Sequence, residues 1–88
     1  MFWKAKYIIG GRMQEPIVFP ETIQHADMAR NLGWVGDDKK VVGAGFVCIQ
    51  DDGYKVYGES VSLRAKNRGA EDERILNKYL GGKQEDDL

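Results

Sequence analysis

Two turn signals, Gly10-Gly11 and Asp52-Gly53, each separate two segments in which apolar and polar side chains alternate. Alternation with a period of two is typical of a β-strand with one buried face. Paired glycines and Asp-Gly supply the positive φ angles of tight hairpin turns. The chain is therefore predicted to form two β-hairpins, over residues 2–19 and 40–63, with turns at these two sites.

The second hairpin has an unusual distribution of small residues. With Asp52 and Gly53 in the turn, Ile49 lies opposite Val56, and one face of the hairpin is apolar along its length. The other face is predicted to carry a small-residue patch at its open end: Gly43, Gly45, Gly58, Ser60 and Ser62. Small residues permit close approach by another backbone. The patch would contact either a helix of this chain or a partner.

A helix pattern follows each hairpin. The first begins near residue 24 and stops at Gly33, and the second places Ile75, Leu76, Tyr79 and Leu80 on one side and stops at Gly81. The order ββαββα predicts an α+β fold, with one four-stranded antiparallel sheet and both helices packed on one of its faces. Pro16 lacks an amide donor, so its strand is expected at the sheet edge.

Length and charge limit the classes of protein that the chain can represent. Its 88 residues fit one domain, predicted at 1–81, followed by a disordered acidic tail at 82–88. A net charge of -1 gives no general attraction to polyanions. Cys48 is the single cysteine, which excludes an internal disulfide. Lys4 and Lys6 interrupt any N-terminal signal sequence. We therefore expect a cytoplasmic protein without a membrane segment or a cofactor.

The segment RAKNRG places Arg64, Lys66 and Arg68 just before the second helix. Guanidinium groups suit phosphate contacts, and a helix N-terminus attracts anions. The first helical turn, however, already holds three carboxylates, Glu71, Asp72 and Glu73. Local charge balance between loop and helix is the favoured interpretation. Contact with a nucleic acid or with an acidic partner protein remains open.

Catalytic and metal-binding patterns are weak. His25 is the only histidine, and Ser60 could pair with it in a small hydrolase. Neither Ser60 nor Ser62 sits on a strand-to-helix turn of the kind that exposes a nucleophile. Cys48 alternates with Phe46 in a strand and is interpreted as a buried apolar residue. The aspartate pairs at 37–38 and 51–52 lack the ligand spacing of a calcium loop. We expect no enzyme activity and no metal site.

Three segments, PIVFPETIQHADMAR, VVGAGFVCI and YGESVSLRAKNRGAEDERIL, together resemble a group of small proteins carried by bacteriophages and prophages. The pattern combines an F-P…H…D-M-A helix entry, an AGFV strand, and a GESxSL strand leading to an SRxxD loop and a short helix. The matching residues are Phe19, Pro20, His25, Asp27, Met28, Ala29, Ala44 to Val47, Gly58, Glu59, Ser60, Ser62 and Leu63. In the loop, Asn67-Arg68 stands where Ser-Arg is expected, and Asp72 corresponds to its acid. The resemblance implies a setting in a bacterial cell and no particular activity.

These observations favour a non-enzymatic accessory module that binds a host or phage protein. Its predicted contacts are the small-residue patch and the basic loop, comprising Gly43, Gly45, Gly58, Ser60, Ser62, Arg64, Lys66 and Arg68. If one helix leaves part of the sheet uncovered, a homodimer would bury the remainder. One alternative is a nucleic-acid-binding regulator that uses Lys4 and Lys6 with the three basic loop residues. Another alternative is the hydrolase.

Overall fold

The computed structural model describes residues 3–34, 41–51 and 53–81. The strands are β1 (Trp3–Gly10), β2 (Glu15–Phe19), β3 (Val41–Gln50), β4 (Gly53–Tyr57), β5 (Glu59–Ser60) and β6 (Ala65–Lys66). The helices are α1 (His25–Asn31) and α2 (Ala70–Leu76), and a π-helical turn, Asn77–Gly81, continues α2. The predicted tail at 82–88, the aspartate pair at 37–38 and Asp52 of the second turn lie outside the described residues.

The four longer strands form one antiparallel sheet in the order β2-β1-β3-β4. The predicted α+β fold with a four-stranded antiparallel sheet is therefore confirmed. Strand β2, which contains Pro16, lies at an edge as expected for a residue without an amide donor. Strands β5 and β6 form a separate two-stranded sheet.

The two helices pack on opposite faces of the sheet, so the prediction that both lie on one face is wrong. On one face, Tyr7 and Ile9 pack with Leu76 of α2. On the other face, Ile8 packs with Ala29 of α1. Three consecutive residues of β1 are thus fully buried, which marks a central strand covered on both sides. One helix cannot cover two faces, and the chain uses one helix for each.

The second hairpin differs from its predicted register by two residues. Ile49 pairs with Tyr54, and Val56 pairs with Val47. A shift of one residue would have turned every side chain to the other face, but a shift of two leaves each on its predicted face. The side chains of residues 42–57 consequently stay on their predicted faces although the pairing prediction is wrong. Val42 and Tyr57 are nevertheless 36% and 40% exposed, and Cys48 is half-buried rather than buried as predicted.

Gly58 ends strand β4 earlier than predicted. Its φ is +72°, and its carbonyl accepts hydrogen bonds from the backbone N–H and the side-chain amide of Asn67, at 3.3 and 2.8 Å. After this bend the chain no longer pairs with β3, and Ser60 pairs with Ala65 rather than with Gly45 as predicted. The segment predicted as one long strand is therefore β4 followed by a β5–β6 hairpin.

Fewer residues of the second helix are buried than its sequence pattern predicts. Ile75 and Leu76 are buried as predicted, whereas Tyr79 and Leu80 are 49% and 42% exposed. The π-helical turn from Asn77 widens the helix, so later residues rotate out of the arc that faces the sheet.

Side chains of α2 and of the turn that follows it cover the free edge of β4. The Val56 amide donates to Glu73 Oε2 at 2.9 Å, and the Tyr54 amide donates to Asn77 Oδ1 at 3.2 Å. Tyr54 and Val56 alternate along the strand, and Glu73 and Asn77 are one helical turn apart. The two spacings match, so one helix face satisfies two edge donors that would otherwise be open to another strand.

Replacing Glu73 and Asn77 together by alanine is expected to lower the free energy of unfolding by roughly 1–3 kcal/mol, because two edge donors lose their acceptors. It should also promote concentration-dependent self-association through β4. Urea unfolding and light scattering at several concentrations measure the two effects. Arg74→Ala, at an exposed position of the same helix, is the control and should change neither. A monomeric double variant of unchanged stability would contradict this role.

Candidate functional site

The first glycine of the small-residue patch is covered by the chain itself. Asp72 of α2 lies directly over Gly43 of β3, and a Cβ atom at Gly43 would lie only 2.5 Å from Asp72 Oδ2 and 2.8 Å from Oδ1. Any larger residue at this position would displace the carboxylate. Gly43 therefore provides the space that lets α2 approach the sheet.

The Asp72 carboxylate is fully buried and has three donors. The Tyr7 hydroxyl donates to Oδ2 at 2.5 Å, Arg68 Nε donates to Oδ1 at 2.6 Å, and the Arg68 backbone amide donates to Oδ2 at 2.9 Å. Hydrogen bonds to an ionised acceptor are stronger than neutral ones, and a buried charge without them would be costly. This cluster joins β1, α2 and the basic loop at one point.

The Tyr7 hydroxyl is held in its protonated, donating form. Burial, and secondly the hydrogen bond to the Asp72 carboxylate, raise the pKa of Tyr7 well above its ordinary value of 10.0. A raised pKa of an acid contributes stability that is present below the unfolded pKa and is lost as the pH rises above it. The hydrogen bond from Tyr7 to Asp72 therefore keeps its donor across the neutral range and loses it only in strong alkali.

Of the three basic loop residues, only Arg68 balances the charge of the second helix. Besides Asp72, it contacts Glu71 Oε2 at 3.3 Å. Arg64 and Lys66 are exposed, and neither has an ion pair among the residues that the structure describes. The predicted internal charge balance thus applies to one end of the loop.

Gly45 and Gly58, the next members of the patch, have different surroundings. Gly45 is buried, and a Cβ there would lie 2.8 Å from the backbone oxygen of Tyr57. Gly58 is exposed at the bend. Ser60 is 1% exposed, whereas Ser62 is exposed. The predicted patch is therefore not one continuous surface, because the chain itself covers Gly43, Gly45 and Ser60.

His25, the first residue of α1, is buried between two aromatic rings. The ring centroids of Phe19 and Phe46 each lie 5.6 Å from that of His25, in edge-on geometry. Its Nε2 lies 2.8 Å from the Gly45 carbonyl oxygen and, in the neutral ring, donates to it. Burial, which outweighs the bond to Gly45, lowers the pKa of His25. The histidine joins α1 to β3 as a neutral donor.

The two residues of the predicted hydrolase are thus engaged with backbone groups. Ser60 Oγ accepts a hydrogen bond from the Leu63 amide at 3.2 Å, while His25 Nε2 is bonded to Gly45. Both residues are almost completely buried, at 1% and 4% exposure. A general base needs hydrogen-bond access to its substrate, which this arrangement does not offer.

Of the predicted contact residues other than glycine, Ser62, Arg64 and Lys66 remain exposed, and all three lie in or beside the β5–β6 hairpin. Val61 is 81% exposed, and a depression of about 300 Å³ beside it is lined by Glu59, Ser60, Val61, Arg64, Ala65 and Lys66. We call Val61, Ser62, Arg64 and Lys66 the hairpin site. Sequence reasoning missed Val61 because it placed this residue on a buried face of a longer strand. Gly58 was the signal that the strand could end there.

Lys6, which the nucleic-acid alternative requires, is also engaged within the chain. Its Nζ donates to the Ile23 carbonyl oxygen at 2.8 Å and lies 6.0 Å from the centre of the Phe46 ring. With Arg68 bound to acids, three of the five proposed cations remain exposed: Lys4, Arg64 and Lys66.

Neither family models, curated proteins nor solved structures contain a match to this chain. Across residues 3–34, 41–51 and 53–81, no helix is long and apolar enough to cross a membrane. Within the same ranges, no three or more His, Cys, Asp and Glu side chains are grouped so that they could hold a metal ion.

Gly43→Ala is expected to destabilise the protein by about 1–3 kcal/mol, since its methyl group would overlap the Asp72 carboxylate. In an Asp72→Ala background the same substitution should cost much less, because the overlapping atoms are gone. Urea unfolding of the two single variants and the double variant measures this coupling. If Gly43→Ala lowers the free energy of unfolding equally in both backgrounds, Gly43 does not provide the space that the Asp72 carboxylate occupies.

Acidification is expected to weaken the fold through His25. Its pKa is lower in the folded than in the unfolded chain, so the stability it contributes is present above about pH 6.5 and is lost as the pH falls below that value. The free energy of unfolding should fall between pH 6.5 and 5 by at most about 1.4 kcal/mol per pH unit. His25→Gln keeps a donor for Gly45 but does not titrate, and its unfolding should be nearly independent of pH in this range. A flat profile for the unmodified protein would contradict the prediction.

Proposed function

We propose that this chain is a non-enzymatic module that binds a protein through the hairpin site. The observation that carries the proposal is the 81% exposure of Val61 beside two exposed cations, Arg64 and Lys66. Protein contacts combine apolar surface with a rim of polar and charged groups, and Val61 would supply the apolar part of such a contact.

The β5–β6 hairpin is held in place by contacts with the core. Leu63 and Ala65 pack against the buried cluster that contains Ile8 and Ala44, and the Asn67 side chain holds the bend at Gly58. These contacts anchor Leu63, Ala65 and Asn67 and leave Val61 and Arg64 exposed. A contact surface on a fixed support loses less conformational freedom on binding than a mobile loop does.

The setting we propose is the cytoplasm of a bacterial cell, with a host or phage protein as the partner. The resemblance to phage and prophage proteins supports this setting. A homodimer through an uncovered face of the sheet is not part of the proposal, because α1 and α2 each cover one face.

A nucleic-acid-binding function would use the same exposed cations without needing Val61. The two functions respond differently to salt, since phosphate contacts weaken steeply as salt is added. Binding of duplex and single-stranded DNA across a salt series therefore separates them. Tight binding that falls steeply with salt and does not depend on Val61 would favour the nucleic-acid function.

Affinity capture from a bacterial lysate, followed by mass spectrometry, tests the proposal. Val61→Asp should reduce recovery of the partner at least about tenfold, as expected for a charge placed in an apolar contact. Met13→Asp is the matched control, since Met13 is also an exposed apolar residue, at 69%, but lies in the first hairpin. Both substitutions are at the surface and should change the free energy of unfolding by no more than about 0.5 kcal/mol. Equal recovery with both variants, or no specific protein with the unmodified chain, would refute the proposal.

A further inference from the structure

Two residues other than glycine have a left-handed backbone in the described part of the chain. Gln14 has a φ of 54° and Arg64 a φ of 55°. This conformation is uncommon for residues that carry a Cβ atom and is strained for them. Such strain persists only when something else maintains it, and it is concentrated at functional positions.

The side chain of Gln14 has an internal contact, whereas that of Arg64 has none. Gln14 Oε1 accepts a hydrogen bond from Arg68 Nη2 at 3.5 Å. Arg64 is exposed, and over residues 3–34, 41–51 and 53–81 its guanidinium makes no hydrogen bond and no ion pair. The fold would be served as well by glycine at position 64, the usual residue at a left-handed position of a hairpin.

The backbone at Arg64 shapes the hairpin site. Its amide donates to the Val61 carbonyl oxygen at 3.2 Å and closes the four-residue loop, after which Lys66 pairs with Glu59. Arg64 and Lys66 are two residues apart, and both line the depression beside Val61. The site therefore combines two cations with an exposed apolar side chain.

This combination favours an acidic protein segment over a nucleic acid. Arg64 and Lys66 suit carboxylates, and Val61 suits an apolar side chain next to them. Glu59 lines the same depression, so the two cations can balance one or two carboxylates but not the continuous row of phosphates of a nucleic acid.

We propose that the hairpin site binds an acidic peptide segment in which a carboxylate neighbours an apolar residue, and that the strained Arg64 is the residue that specifies the carboxylate. This inference rests on the proposed protein-binding function and adds the chemical class of the partner. Val61 provides apolar contact, and Lys66 adds the second positive charge.

The test uses a blocked peptide of sequence Leu-Glu-Leu-Glu, a matched Leu-Gln-Leu-Gln peptide and a ten-nucleotide single-stranded DNA. Backbone amide chemical shifts of the ¹⁵N-labelled chain report where each probe binds. We expect the acidic peptide to perturb the amides of residues 59–66, and the neutral peptide to bind about fivefold more weakly.

Arg64→Gly is the decisive variant. It should weaken binding of the acidic peptide about fivefold while its thermal midpoint stays equal to or rises above that of the unmodified chain, because glycine relieves the strain. Gln14→Gly is the matched control, since it relieves the other left-handed residue and should leave peptide binding unchanged. Lys66→Gln removes the second cation without changing the loop backbone and should also weaken binding.

Several results would overturn the inference. These are unchanged peptide binding by Arg64→Gly, a lower thermal midpoint for that variant, equal binding of the neutral peptide, shift changes outside the hairpin, and tighter binding of the DNA. Affinity capture distinguishes failure of the acidic-peptide inference from failure of the protein-binding proposal. If Val61→Asp loses the captured protein while Arg64→Gly retains it, the carboxylate partner is wrong but protein binding stands.

Discussion

The buried Asp72 carboxylate is the interaction on which most of this structure depends. It needs a position without a Cβ atom beneath it, which Gly43 provides, and it needs donors, which Tyr7 and Arg68 provide. Once these contacts form, α2 can lie in only one position across the sheet. That position places Glu73 against the free edge of β4 and draws Arg68 inward. Removing the carboxylate would therefore affect the helix, the sheet edge and the basic loop together.

The opposite face of the sheet is organised by a neutral donor rather than by a charge. His25 is bonded to the Gly45 carbonyl oxygen and packs between Phe19 and Phe46. A domain of this size buries a smaller fraction of its surface than a large one, so both faces of its sheet must contribute to the core. Helix α1 is held by the hydrogen bond of His25 and a few apolar contacts, whereas α2 is held by the hydrogen bonds of Asp72 and Glu73 together with Ile75 and Leu76. The hairpin site takes no part in either arrangement, and its side chains are exposed.

Much of the fold could be predicted from the sequence because it depends on local patterns. The buried face of β1 follows from the two-residue alternation of its side chains, and the edge position of β2 follows from the missing amide donor of Pro16. The end of α1 follows from Gly33, which has a positive φ. The faces of β3 and β4 were also predicted, although the register was wrong by two residues. The candidate site was harder to predict. Arg64, Lys66 and Arg68 look equivalent in sequence, and Arg68 differs from the other two only because α2 brings Asp72 beside it.

The sequence by itself determined the class of the fold, the approximate positions of the hairpins and helices, and the small residues that allow close packing. Only the tertiary structure decided that the helices lie on opposite faces, that Gly43 and Gly45 are covered by the chain itself, and that Val61 is exposed. The physical reason is that strand and helix patterns depend on neighbours along the chain, whereas burial depends on which distant residues meet. A glycine in a strand permits a close approach, but the sequence does not say whether the approaching group belongs to the same chain.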